Sequence, residues 1–115
     1  MKRGEIWTVS GGADYAGKPR PAVIVQDDRF DSTQSITLCP LTTEPTDLPL
    51  FRLPLAPSRG NGLRMTSRLM VDKITTVPRS KLGARLGHVS PADMARLNRA
   101  MIVFLGIAAA REPRP

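Results

Sequence analysis

The sequence predicts a small, mainly β domain of the α+β class that ends in one α-helix. Short runs rich in β-branched residues alternate with clusters of Gly, Pro and Asp over residues 3–89, a pattern typical of strands joined by turns. One long amphipathic segment begins after Ser90. With 115 residues, the chain has the length of one domain. We therefore expect a single domain over residues 1–110 and a frayed tail over residues 111–115.

The first three strands are predicted near the N-terminus. Residues 3–9 contain a brief β-favouring run, and a glycine-containing loop follows through Pro19. Residues 21–25 form a β-branched run that is short enough for a buried strand. Residues 34–41 alternate apolar and polar side chains before they meet Pro40. We expect an edge or a bulge near the end of this third strand.

The later strands are less regular in sequence. Residues 50–55 have the pattern of a strand that Pro54 weakens, and residues 56–62 are typical of a loop. Residues 66–77 form the longest β-rich stretch. A short piece over residues 85–89 completes the predicted β core.

The C-terminal helix has clear signals at its start. Ser90 is a good N-cap residue and Pro91 suits the first helical position, while Asp93 acts as a shorter version of the capping-box acid. Apolar residues then fall on one face: Met94, Leu97, Met101, Leu105 and Ala108. This face predicts a helix packed on the β core.

The composition favours a polyanionic partner. Seventeen Lys plus Arg stand against ten Asp plus Glu, which gives a net charge of +7. The stretch from Arg52 to Arg68 contains four arginines and no acid, and the arginine fork suits phosphate. The sequence has no apolar run near the roughly 20 residues that a bilayer span needs, and no signal peptide. We therefore expect a cytoplasmic protein with no membrane association.

Several other chemical signals are weak. The lone Cys39 and the lone His88 exclude an internal disulfide and a Cys/His zinc cluster. Asp27, Asp28 and Asp31 could together hold a divalent cation, but adjacent Asp residues after a strand more often form turns. Cys39 within an apolar strand is more typical of a small core residue than of a nucleophile. We expect no metal ion and no cofactor.

Arg20 and Thr42 are the more informative pair. Arg20 lies between a flexible loop and a buried strand, and Thr42 lies at the end of the third predicted strand. A guanidinium and a hydroxyl brought together can bind a phosphate and stabilise a pentacoordinate transition state without a metal ion. From spacing alone, a structural role for each residue is still favoured.

Several segments carry a family resemblance through their order and spacing. They are Arg3 to Trp7, Lys18 to Val25, Cys39 to Thr42, Val71 to Val77 with Lys81 to Gly83, and Leu86 to Pro91. Together they resemble the MazF/PemK family of type II toxin-antitoxin endoribonucleases, and the match spans nearly the whole chain.

The resemblance implies a fold, an activity and partners. The implied fold is an SH3-like small β-barrel with a C-terminal α-helix, assembled as a homodimer. The implied toxin cleaves single-stranded RNA, often mRNA, with tRNA or rRNA as further targets, at short sequence motifs and without a metal ion. Attack of a ribose 2′-hydroxyl on the adjacent phosphate leaves a 2′,3′-cyclic phosphate and a 5′-hydroxyl, which inhibits translation and growth. The implied regulator is a cognate acidic antitoxin.

Site residues follow from the same resemblance. The family's catalytic arginine and threonine fall on Arg20 and Thr42, and residue types alone leave the general base open. Some members pair an Asp with an Arg two residues earlier; here these positions are Asp72 and Met70. Asp72 is therefore assigned either a catalytic or a site-orienting role.

Four further residues are expected to bind RNA: Lys18, Trp7, Thr43 and Ser67. We expect the loop from Ser10 to Pro19 to contact the RNA as well. A tryptophan in a strand can stack a base, but in so small a domain Trp7 is more often a core or dimer contact.

Two other functions stay open at this stage. One is a non-catalytic toxin of the same fold that inhibits DNA gyrase, although relatives of that kind depend on a Trp where this chain has Ile107 and three alanines. The other is a small basic RNA-binding module, which would bind with a salt slope of roughly −0.7 per neutralised phosphate and leave no cut product.

Overall fold

The computed structural model describes residues 1–10, 18–45 and 47–107. It contains seven β-strands and one α-helix: β1 Glu5–Val9, β2 Arg20–Ile24, β3 Ser35–Thr42, β4 Arg52–Leu55, β5 Ser67–Met70, β6 Thr75–Pro78, β7 Leu82–His88 and α1 Pro91–Phe104. The predicted mainly β fold with a C-terminal helix is confirmed. Most of the predicted loop before Pro19, Ala108 of the predicted helix face and the predicted tail over residues 111–115 lie outside the described residues.

The strands form one antiparallel sheet in the order β4-β5-β3-β2-β1-β7, and β6 pairs with β3. Strand β3 is the branch point of this sheet. Its first half pairs with β6, its last two residues pair with β5, and its middle pairs with β2 on the other side. The predicted β-rich stretch over residues 66–77 is therefore two strands, because a 3-10 turn at Val71–Lys73 separates β5 from β6.

Side chains of the central strands are buried on both faces of the sheet. On one face, which we call the helix face, Val23, Cys39 and Leu69 join a cluster with Leu97 of the helix. On the opposite face, Ala22 joins a second cluster: Ala22, Ile24, Ile36 and Leu38, with Trp7, Val9, Val77 and Leu82 packed around them. This alternation follows from the two-residue period of a strand.

The helix begins and packs as its sequence predicts. The Ser90 hydroxyl accepts a hydrogen bond from the backbone N–H of Asp93 at 3.1 Å, which satisfies one free donor of the first turn. Leu97 and Ala100 are buried against the sheet. The prediction that Leu105 joins the packed face is wrong: Leu105 is the C-cap residue and is 57% exposed, because the helix ends before that turn reaches the core. Within the described ranges, no helix combines the length and apolar character needed to cross a membrane.

A loop rather than a strand joins the two ends of the sheet. The backbone N–H of His88 donates to the carbonyl oxygen of Gly60 at 2.9 Å, so the loop after β4 reaches β7. Gly62 adopts a φ of +68°, and a Cβ on Gly87 would overlap the Gly60 carbonyl. Strands β4 and β7 are the two edges of the described sheet and are not paired with each other. The predicted small barrel is therefore not closed by strand pairing, and the loop after β4 makes the contact between its two edges.

Replacement of Gly87 by alanine tests this close approach. Gly87→Ala is expected to lower the free energy of unfolding by about 1–3 kcal/mol, because the added methyl group forces the loop away from β7. Chemical denaturation checks the value. Gly60→Ala is the matched control, since its Cβ would have no neighbour nearer than 3.9 Å. Equal stability of the two variants would contradict this account of the closure.

Candidate active site

The strands place Thr42 opposite Arg68 and put Arg20 on the same face of the sheet. The paired residues of β2 and β3 end at Ala22 opposite Pro40, and Arg20 and Thr42 each lie two residues beyond that pair, on the same face as Ala22 and Pro40. On the other side of β3, Thr42 pairs directly with Arg68 of β5. Partners across antiparallel strands point to the same face. The two predicted catalytic residues therefore share one face, which is the face opposite the helix.

The Thr42 hydroxyl is oriented by its own loop. Its oxygen accepts a hydrogen bond from the backbone N–H of Glu44 at 3.2 Å. A threonine hydroxyl can accept and donate at the same time. The Thr42 proton is therefore directed away from the Glu44 amide and is able to bind a phosphate oxygen.

Arg20 lies at the rim of a hollow in the second cluster. The hollow has a volume of about 130 Å³ and is lined by Arg20 together with Val9, Ser10, Pro21, Ala22, Leu38, Pro40, Thr75 and Val77. Its walls are mostly apolar, and Arg20 is half-buried there. Water is partly excluded at such a rim, which strengthens the interaction of a guanidinium with an anion.

Asp72 forms a two-point ion pair with Arg52. Arg52 Nε lies 2.6 Å from Asp72 Oδ1, and Arg52 Nη2 lies 2.9 Å from Oδ2. The hydrogen bond from Arg52 lowers the pKa of Asp72 below its usual 3.8. Sequence reasoning missed Arg52 as this partner, because β4 and β5 bring the two residues together across 20 positions of the chain.

The ion pair also corrects the interpretation of the acid-free arginine stretch. Arg52 is bound by Asp72 and its side chain is 11% exposed, so its guanidinium is not available to bind a phosphate. Arg59 and Arg64 are exposed and Arg68 is half-buried. The stretch is thus a set of arginines with different environments.

Thr43 and Ser67 meet in a second groove. This groove has a volume of about 420 Å³, and its lining includes Thr43, Ser67, Thr8, Arg64 and Met65. Ser67 is buried and its hydroxyl donates to the Met65 carbonyl at 3.1 Å. Thr43 is exposed and follows Thr42 directly, so its side chain points to the other face of the strand end.

Trp7 and Lys18 occupy different surroundings. Trp7 pairs with Ala22 in β2 and packs on the second cluster. Its indole N–H donates to Glu5 Oε1 at 3.0 Å. Lys18 is exposed, two residues before Arg20.

The acidic residues of the turn after β2 each have a basic or backbone partner. Asp27 caps the 3-10 turn by accepting from the Arg29 N–H, Asp28 accepts from the Arg3 N–H, and Asp31 pairs with Lys2. In the part of the chain that the structure describes, no group of three or more His, Cys, Asp or Glu side chains could hold a metal ion.

Cys39 is part of the packed core. It is fully buried in the cluster on the helix face. Burial raises the pKa of its thiol to about 12. A thiol with that pKa is a poor nucleophile at neutral pH.

Comparison with known proteins identifies the family. The sequence model of the PemK-like, MazF-like toxin of type II toxin-antitoxin systems matches residues 2–105. The chain belongs to this family. This match confirms the MazF/PemK resemblance that the sequence segments carry.

Relatives of the MazF-like chain carry consistent names. "Probable endoribonuclease MazF" of Mycolicibacterium smegmatis is 53% identical over 108 residues, covering 94% of this chain and 99% of that protein. "Endoribonuclease MazF9" of Mycobacterium tuberculosis is 29% identical over 116 residues, covering 93% of this chain and 98% of that protein. The predicted endoribonuclease class agrees with both names.

A solved structure supports the fold of the MazF-like chain. It is described as an endoribonuclease in complex with its cognate antitoxin from a mycobacterial species. It matches with a TM-score of 0.76 and 28% identity, and the match covers 100% of this chain and 99% of that chain.

Replacement of Asp72 by asparagine tests the ion pair. The pKa of Asp72 is lower in the folded chain than in the unfolded chain. The pair therefore stabilises the fold fully above pH 3.8, and this contribution is lost as the pH falls through the lower folded pKa. Asp72→Asn is expected to reduce the free energy of unfolding at pH 7 by about 1–3 kcal/mol. It should also flatten the loss of stability in acid.

Denaturant titrations at pH 7 and below pH 4 measure both effects. Asp27→Asn is the matched control, because Asp27 pairs with an Arg29 side chain that is 80% exposed, and exposed pairs contribute little. An Asp72→Asn variant with the stability and pH profile of Asp27→Asn would disprove a stabilising role of the pair.

Proposed function

We propose that this chain is the toxin of a type II toxin-antitoxin system and a metal-independent, sequence-selective endoribonuclease that acts on single-stranded RNA in the cytoplasm. The observation that carries the proposal is the alignment of Arg20 and Thr42 on one face of the sheet. Family membership over residues 2–105 supports the same activity. The net charge of +7 favours RNA over neutral substrates.

The proposed reaction is an internal transesterification. The ribose 2′-oxygen forms a bond to phosphorus while the bond from phosphorus to the 5′-oxygen breaks. The 2′-hydroxyl loses its proton and the departing 5′-oxygen gains one, which leaves a 2′,3′-cyclic phosphate and a 5′-hydroxyl. Arg20 neutralises the extra charge of the pentacoordinate phosphorus, and the Thr42 hydroxyl donates to a phosphate oxygen.

Asp72 acts as a site-orienting residue in this proposal. Both of its oxygens accept hydrogen bonds from Arg52. Arg52 pairs with Met70, one row along the sheet from Arg68. The ion pair thereby holds the end of β5 against β4, close to the Thr42–Arg68 pair.

Four residues are proposed as RNA contacts. Thr43 and Ser67 share the 420 Å³ groove, Lys18 is exposed beside the start of β2, and Trp7 is on the Arg20 face of β1. An acidic antitoxin is the proposed regulator. A basic surface binds a carboxylate-rich segment as it binds phosphates, so inhibition follows by competition.

Cleavage in EDTA tests the proposed activity. The wild-type chain is expected to cut a long single-stranded RNA at discrete sites, which sequencing of the 5′ ends locates. Arg20→Ala should lose the activity by at least roughly 100-fold while remaining folded, because the transition-state charge is then unneutralised. Repeating the assay with the cognate antitoxin checks the inhibition.

Arg59→Ala is the matched control, since Arg59 is an exposed arginine on the loop after β4. Absence of discrete cuts by the wild type would overturn the proposed function. Near-normal cutting by Arg20→Ala would remove Arg20 from the mechanism. Binding to RNA without cut products would instead support the basic RNA-binding module.

A homodimer is the proposed assembly. Apolar side chains are exposed around the end of the helix: Val103 at 65%, Phe104 at 46%, Leu105 at 57% and Ile107 at 71%. A cluster of this kind is typical of a surface that a partner covers.

Leu105→Glu tests where the dimer forms. The wild type is expected to have twice the mass of one chain in sedimentation equilibrium, and Leu105→Glu is expected to dissociate at concentrations where the wild type does not, because a buried carboxylate would be unpaired. Met65→Glu, at an exposed apolar residue elsewhere, should retain the dimer. A monomeric wild type would contradict the proposed assembly.

A further inference from the structure

Arg68 is the second arginine beside Thr42. Thr42 pairs directly with Arg68 in the β3–β5 ladder, and paired residues have Cβ atoms about 4.5–5.5 Å apart. Strand β2 lies on the other side of β3, and its residue Arg20 is two residues beyond the last β2–β3 pair, on the same face as Thr42. Arg20 and Arg68 thus belong to the two strands that flank the end of β3, on the face that carries Thr42, and two long arginine side chains can reach one anion from these positions.

The side chain of Arg68 is available for a ligand. Arg68 is half-buried and lies on strand β5. Among the residues that the structure describes, no hydrogen bond or ion pair involves its guanidinium. Arg52 differs. It pairs with Met70, two residues from Arg68 on the same face, and Asp72 binds it at two points.

The cross-strand and sequence neighbours of Arg68 carry no carboxylate. Its other cross-strand partner is Pro54 of β4, and the sequence from Phe51 to Val71 contains no acid. An unpaired guanidinium next to an oriented hydroxyl is the arrangement that binds a phosphate through several donors.

We infer that Arg68 is a further catalytic residue, which donates hydrogen bonds to the non-bridging oxygens of the phosphate that Arg20 and Thr42 hold. This inference rests on the proposed endoribonuclease function. Arg68 exchanges no proton and forms no covalent bond. It contributes a second positive charge where negative charge develops in the transition state, and the strand holds that charge in place before the reaction.

A role in simple electrostatic attraction gives a different result from a catalytic role. A distant arginine that attracts RNA changes affinity and its salt dependence, but not the rate of bound substrate. An arginine that contacts the reacting phosphate lowers the rate at saturation as well. The two roles are separated by measuring the rate and the affinity independently.

Arg68→Ala and Arg68→Lys test the inference against the control Arg59→Ala. The substrate is an RNA oligonucleotide that contains a mapped cut site, and single-turnover rates are measured at saturating protein. Affinity is measured on the same oligonucleotide with a 2′-deoxy nucleotide at the cut site, which cannot react. Thermal unfolding checks that each variant is folded. If Arg68→Ala does not fold, Arg68→Gln replaces it in both measurements.

Arg68→Ala is expected to slow the saturated rate by roughly 10- to 100-fold, and Arg68→Lys should recover part of the rate because it retains the charge but not the fork. Arg59→Ala should change the saturated rate less than about threefold. If the wild type is active and Arg68→Ala has the same saturated rate as Arg59→Ala, the catalytic role of Arg68 is overturned while the proposed function stands. A wild type that makes no cuts overturns the proposed function and the inference with it.

Discussion

The pairing of β3 with three other strands is the constraint on which the rest of the structure depends. Its two ends pair with β6 and β5, and its middle pairs with β2. A shift of one residue in any of these registers would move every side chain of the strand to the other face. Leu41 and Cys39 would then leave the core, and Thr42 would no longer lie opposite Arg68. The same hydrogen bonds therefore hold the core and place the candidate site.

The environments of the arginines differ more than the net charge of +7 indicates. Arg52 is bound at two points by Asp72, and Arg3 donates to the Val25 carbonyl and to Asn98 of the helix. These two guanidinium groups support the fold. Arg59 and Arg64 are exposed on a loop. Arg68 lies on a strand and has no partner among the described residues, and guanidinium donors without a partner suit the binding of a phosphate.

Much of the fold could be predicted from local sequence. The Ser90 cap, Pro91 and the spacing of Leu97 determine the helix through interactions within a few residues, and β1 and β3 agree with their predicted limits to within two residues. The prediction that the packed helix face includes Leu105 was wrong, because the helix ends at Phe104 and the Leu105 side chain is exposed. The break between β5 and β6 was also missed, since a 3-10 turn at Val71–Lys73 has no strong local signal.

The sequence by itself determined the mainly β class, the capped helix, the basic charge and, through motif resemblance, the family and the two candidate residues Arg20 and Thr42. These features depend on residue type, spacing and neighbours in the chain. Only the tertiary structure decided that Asp72 is bound by Arg52, that Cys39 is buried, and that Arg68 is opposite Thr42. Each of these relations joins residues 20 or more positions apart or depends on how the sheet packs. Strand register and packing determine such contacts, and neither can be read from local pattern.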